Sequence, residues 1–206
     1  MEDYKKLIEE GNKLADTIIS KKMRKTLGIY YGTWVIYFLF INLVNYVESL
    51  YTSNNVIFTL TDIVIVIPFI IYSVYIFGKI IRLRLIRFGY NNRHFQITRM
   101  FYSLYYTILM IIFMITFDQW YSIIPILLFT AGISLAMWRI LFSRYKLTKG
   151  KYYDILAIGS FQLYPLYPIL AASSFSKFAT IYIFIFIILW AYASIKSFLE
   201  LIDNGE

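Results

Sequence analysis

The chain has 206 residues, of which 60% are hydrophobic, with a mean hydropathy of +0.64 and a net charge of +8. Soluble domains are about 45–50% apolar, so this composition excludes an ordinary soluble fold, and six spans of about 20 residues leave no length for a separate soluble domain. With no cysteine and a single histidine, His94, the chain excludes disulfides, iron–sulfur clusters, thiolate sites, cysteine nucleophiles and bis-histidine haem; no metal or cofactor is expected.

The positive charge follows a pattern. Seven Lys and Arg precede the first apolar run, six lie between the second and third, and five surround the break between the fourth and fifth; only Lys177 and Lys196 fall elsewhere. Basic residues in short loops stay cytoplasmic, so the pattern predicts six spans with both termini inside. The expected fold is all-α, a polytopic six-helix transmembrane bundle in the cell membrane preceded by an amphipathic cytosolic helix. Its expected boundaries are 1–26 for that helix, 27–201 for the transmembrane domain and 202–206 for a cytosolic tail. Anionic inner-leaflet lipid is the expected partner of the positive charge, and nucleic acid is not expected.

In chain order, the arm over 2–25 comes first. Tyr4, Leu7, Ile8, Leu14, Ala15, Ile18 and Ile19 repeat at three-to-four spacing, with Gly11 continuing it, while Lys5, Lys6, Glu9, Glu10, Lys13 and Asp16 occupy the other face. Such a helix either lies on the cytosolic headgroups or docks a cytosolic partner. The first span, about 28–47, opens with Gly28 and Gly32, a GxxxG spacing that admits another helix closely, with pairing between copies as one option. Tyr30, Tyr31, Tyr105, Tyr106, Tyr152 and Tyr153 all fall near cytoplasmic span ends, as an aromatic belt requires.

The second span, about 57–81, contains Asp62 and Pro68. An ionisable group at membrane depth costs at least about 2.5 kcal/mol, which makes Asp62 the leading candidate for a cation or proton path. Its plainer alternative is an interfacial carboxylate in contact with headgroup water. Beyond it, Lys79, Arg82, Arg84 and Arg87 alternate with apolar residues, a candidate contact for anionic lipid or a cytosolic subunit. Spans three and four are expected over about 100–117 and 123–141, joined by an outer hairpin at 118–121 with Trp120 and Tyr121 as anchors.

The fifth span, about 155–173, is the least regular. Pro165 and Pro168 each remove a backbone N–H, which frees the carbonyls of Phe161 and Tyr164, and Gln162 needs a buried partner. Broken helices of this kind often form transporter binding sites, so Asp62, Gln162, Tyr164, Pro165 and Pro168 form the candidate substrate or ion path; a packed kink is the alternative. The sixth span covers about 180–199.

Enzyme templates fail. No HExxH, GxSxG, phosphate-binding loop or paired-carboxylate motif is present, so no catalytic role is expected. The layout of six spans, both ends inside, an N-terminal interfacial helix and a cytosolic loop after span two is similar to that of type-2 ABC exporter permeases. Those permeases usually carry a re-entrant element between spans five and six, where this chain has only 174–179. The resemblance implies a membrane subunit of an export system with a separate cytosolic ATPase. The competing expectation is a membrane scaffold or accessory subunit, and a homo-oligomer is open in either case. A polar interior seam across spans two and five favours transport; an apolar interior favours a scaffold.

Overall fold

The computed structural model describes residues 2–51, 55–88, 97, 100–101, 104–105, 107–109, 111–112, 123–142, 148–164, 166 and 176–203. Every described element is helical. The principal ones are α1 (Glu2–Ser49), α2 (Asn55–Phe88), α3 (Ile123–Phe142), α4 (Tyr152–Gln162) and α5 (Ser176–Asp203). The chain divides into two compact units, residues 1–82 with 187–206 and residues 83–186, with the boundary inside α5.

In the first unit, α1 runs 48 residues without a break, about 72 Å at the usual rise. The expected arm and first span are therefore one helix, with no turn between residues 26 and 27. Its neighbour is the second part of α5. A Cβ on Gly28 would sit 3.1 Å from the Phe198 ring and 3.2 Å from Ser197 Cβ, and one on Gly32 would sit 3.1 Å from Ser194 Oγ. The glycines thus serve a close approach within the chain. Where the backbones meet, the Ser194 hydroxyl donates to the Gly28 carbonyl at 2.8 Å, the small-residue and hydroxyl chemistry that joins helices without a hydrophobic driving force.

One turn further along, Trp190 is buried between Tyr30 and Tyr31, at centroid separations of 5.8 and 5.4 Å. Each such ring pair adds about 0.5–1.5 kcal/mol beyond its buried area. Tyr30 and Tyr31 are therefore packing residues and not the belt residues their position suggests; Tyr105 and Tyr152 are exposed, as a belt requires, and Tyr153 is buried. The ring series continues through Trp34 to Tyr37, whose contact with Phe69 at 5.1 Å joins α1 to α2. α2 stays helical through Pro68, although the missing N–H deprives the Val64 carbonyl of its helical donor.

In the second unit, the residues just ahead of α4 are bound to the end of α3. Gly150 N–H donates to Leu141 O at 3.3 Å, and any side chain at Gly150 would overlap the Phe142 ring. The start of α4 is held by Asp154, fully buried, whose carboxylate accepts from the Lys151 backbone N–H at 2.8 Å, a carboxylate in the first turn as the helix dipole favours.

Two helices, Tyr4–Ser49 and Lys177–Ile202, are long and apolar enough to cross a membrane, and Leu60–Ile76 and Ile123–Trp138 are shorter apolar stretches. On the long helices Ile36, Leu39, Leu43, Phe184 and Ile188 are all more than half exposed. The expected outer hairpin at 118–121 lies outside the described residues, as does half of span three.

Candidate functional site

The first unit carries two polar clusters on α1, at positions separated by about 36 Å of helix, slightly more than a bilayer's apolar core of about 30 Å. At one, Arg24 is 2% exposed and its Nε lies 3.2 Å from Glu200 Oε2 on α5, an ion pair by distance though Nε–H is not aligned as a hydrogen bond. A turn away, the ammonium of Lys196 stands over the Tyr192 ring at 5.9 Å. Ser197 is fully buried beside Gly28 and its hydroxyl has no partner.

The other cluster joins the last turns of α1 to the start of α2. Thr61 Oγ1 donates to Glu48 Oε1 at 2.6 Å. The Asn45 amide and the Glu48 carboxylate both lie close enough to the Asp62 carboxylate to act on it, the second as a like charge. Three acceptor atoms, Asn45 Oδ1, Glu48 Oε2 and Asp62 Oδ1, are shielded from solvent and have no hydrogen-bond partner among the described residues. Each acceptor left in that state costs about 1–3 kcal/mol. No cationic side chain among the described residues is ion-paired with either carboxylate. The arrangement is one of concentrated negative potential with spare lone pairs, which suits a proton, a small cation or water.

The second unit holds the broken helix. α4 ends at Gln162, 11 residues long, or about 16 Å, which is short of a membrane crossing. Its last bonds tighten to three-residue spacing: Leu163 N–H donates to Ser160 O at 3.2 Å and Tyr164 N–H to Phe161 O at 3.0 Å. The Phe161 carbonyl that Pro165 cannot serve is thereby satisfied locally. From α5, Tyr182 Oη donates to Ser160 O at 2.7 Å and closes the same helix end.

Of the residues singled out from sequence, Asp62 gathers its partners from α1, namely Asn45 and Glu48. Gln162 and Tyr164 belong to the other unit; Gln162 is exposed and not held by a buried partner, and Tyr164 is half-buried. Pro165 and Pro168 lie outside the described residues. Lys79, Arg82, Arg84 and Arg87 fall on the helical backbone of α2, and their side chains lie outside the described set.

No protein-family model, no curated protein and no solved structure matches the chain.

Sequence reasoning passed over Arg24, Glu200, Asn45 and Glu48 as sites. Arg24 was one of seven basic residues before the first span, with nothing local to mark it as buried. A signal did exist: Arg24 and Glu200 both flank apolar runs at the end that charge asymmetry assigns to the cytoplasm. Asn45, Glu48 and Asp62 likewise bracket a single short connection between two apolar runs.

Proposed function

We propose that the chain is a multi-pass protein of the cell membrane, with six spans and both termini cytoplasmic, and that it works as a transport component. Its nearest functional description is the membrane subunit of an export system served by a separate cytosolic ATPase. The membrane assignment draws support from the two long apolar helices and their exposed aliphatic side chains, because exposed apolar surface of this extent needs an apolar solvent. The spacing of the polar clusters fits the same assignment, with Arg24 and Glu200 at the cytoplasmic end of α1.

The observation that carries the transport reading is the Asn45–Glu48–Asp62 cluster. A scaffold gains nothing from two adjacent carboxylates that each keep a shielded, unpartnered oxygen. A path that accepts a proton or cation at its outer mouth does. Polar groups of this kind in a membrane domain mark ion and substrate routes by default. The cluster joins the last turns of α1 to the start of α2.

The scaffold reading keeps one observation in its favour: the contact of α1 with the second part of α5 is filled by Trp190, Tyr30, Tyr31 and close-packed glycines. Purification from native membranes in mild detergent, with identification of co-purifying chains, separates the two. An ATPase at constant stoichiometry, with nucleotide-dependent flux into reconstituted vesicles that Asp62→Asn reduces several-fold, is the expected result. Purification without an ATPase, together with vesicles in which wild type and Asp62→Asn behave alike, would overturn the transport reading.

A further inference from the structure

We propose that residues 2–22 of α1 form a dimerisation arm that stands off the cytoplasmic face of the membrane and pairs, in parallel, with the same arm of a second copy. The proposal rests on the membrane reading above. Its first support is continuity. α1 is helical without interruption from Glu2 to Ser49. An arm lying flat on the headgroups would need a sharp turn near the cytoplasmic end of the span, and the helix has none there. A helix that crosses the bilayer between its two polar clusters carries the arm onward along the same axis, about 32 Å into the cytosol.

The second support is the arm's bare apolar stripe. Tyr4, Leu7, Leu14 and Ile18 are 76, 65, 64 and 50% exposed, and nothing lies within 4 Å of where a Gly11 side chain would be. Tyr4, Leu7, Gly11, Leu14 and Ile18 advance by alternate steps of three and four residues, the seam of a coiled coil over two heptads. A period of three and four continued this regularly asks for a helix as its partner, and Gly11 lets that partner approach closely.

The third support is charge, which decides the occupant. From Glu2 to Lys22 five lysines are balanced by five carboxylates. A neutral helix gains nothing from anionic lipid, whose attraction grows with each uncompensated basic residue. Two copies of a neutral helix do not repel, and the membrane holds both in one orientation, so like stripe meets like stripe in register. Two heptads are weak by themselves, but confinement of both copies to one surface raises their effective concentration. The glycine pair further along α1 is already occupied by Ser194 and Ser197, so it does not offer a second copy the close approach that Gly11 offers.

The chain contains no cysteine, so single-cysteine variants in native membranes read the contact directly. Leu7→Cys and Leu14→Cys should give disulfide-linked dimers under mild oxidation, several-fold more than Glu9→Cys on the opposite face. Leu14→Cys should lose that dimer when Leu7→Lys is added. Equal or absent dimer at all three positions would overturn the proposal, and so would cross-linking only to a protein of another mass. Burial of a spin label at Leu14 among lipid headgroups would overturn it in favour of the membrane surface. A cysteine at Leu39 in the same membranes serves as the reference. Its protection from an impermeant maleimide keeps the membrane reading, so that failed cross-linking then counts against the arm alone; its labelling would remove the membrane reading and the dimer arm with it.

Discussion

The two ends of the α1 span solve the same problem in opposite ways. At Arg24 a buried cation meets the Glu200 carboxylate across a seam of small residues. At Asp62 two carboxylates meet an amide and a hydroxyl, and three shielded oxygens keep lone pairs without a donor. Charge paired within the chain holds helices in register, whereas charge left without a counterion is free to take one from outside. Under the proposed function the Arg24 end is structural and the Asp62 end functional, and that contrast can be broken by substitution at either.

The largest effect is expected from Glu200→Ala. It strips the buried guanidinium of its carboxylate, a change that costs about 3 kcal/mol for a pair still partly wetted at Glu200, read as a lowered melting midpoint in detergent. Arg24→Met combined with Glu200→Leu should recover most of that loss, because apolar replacements of similar volume remove the desolvation penalty together with the pair. A neutral Glu200→Ala would erase the distinction between the two ends.

Next comes the seam itself. Gly28→Val forces a branched side chain against Phe198 and Ser197 and should cost about 1–3 kcal/mol by overpacking, with Gly28→Ala milder. Gly159→Ala, in open space inside α4, should instead stabilise by up to about 1 kcal/mol. Thermal melts of the three variants side by side test whether contact or mere helix propensity sets the sign.

In the second unit Tyr182→Phe removes the hydroxyl that closes α4 and should cost about 1 kcal/mol, the net worth of one hydrogen bond. A faster exchange of the amides at 163 and 164 would locate the loss at that helix end.

The smallest change in stability belongs to Asp62→Asn, which keeps the shape and removes one of two like charges; the shift should stay within about 1 kcal/mol in either direction. Flux, not melting, should fall. If Asp62→Asn destabilises as much as Glu200→Ala, the outer cluster is structural and the comparison fails.

Helicity was legible in the sequence because apolar runs and the three-to-four spacing of the arm report backbone period directly. Pro165 likewise signalled an interruption just beyond α4, since a missing N–H at one residue frees a carbonyl at a known place, although the expected fifth span ran from about 155 to 173. What periodicity could not carry was partnership. Gly28 and Gly32 announce a close approach without saying that Ser194 supplies it, some 166 residues away. Tyr30 and Tyr31 looked interfacial because position along the chain gives depth and not direction around the helix axis. Asp62 stood out by its rarity in an apolar run, while Asn45 and Glu48 were hidden at a span end, where polar residues are ordinary. The union of the arm and the first span into one helix escaped notice because the lysines from Lys21 to Lys25 mark a change of solvent, which a helix can cross without bending.

The measurement closest to the central claim is the accessibility of single cysteines along α1, introduced into the cysteine-free chain in intact cells. The account predicts that Tyr51→Cys reacts with an impermeant maleimide from outside, that Leu39→Cys does not react, and that Lys13→Cys reacts only after the membrane is opened. Reaction of Tyr51→Cys and Lys13→Cys from the same side, or ready labelling of Leu39→Cys, would contradict a membrane crossing between the two polar clusters.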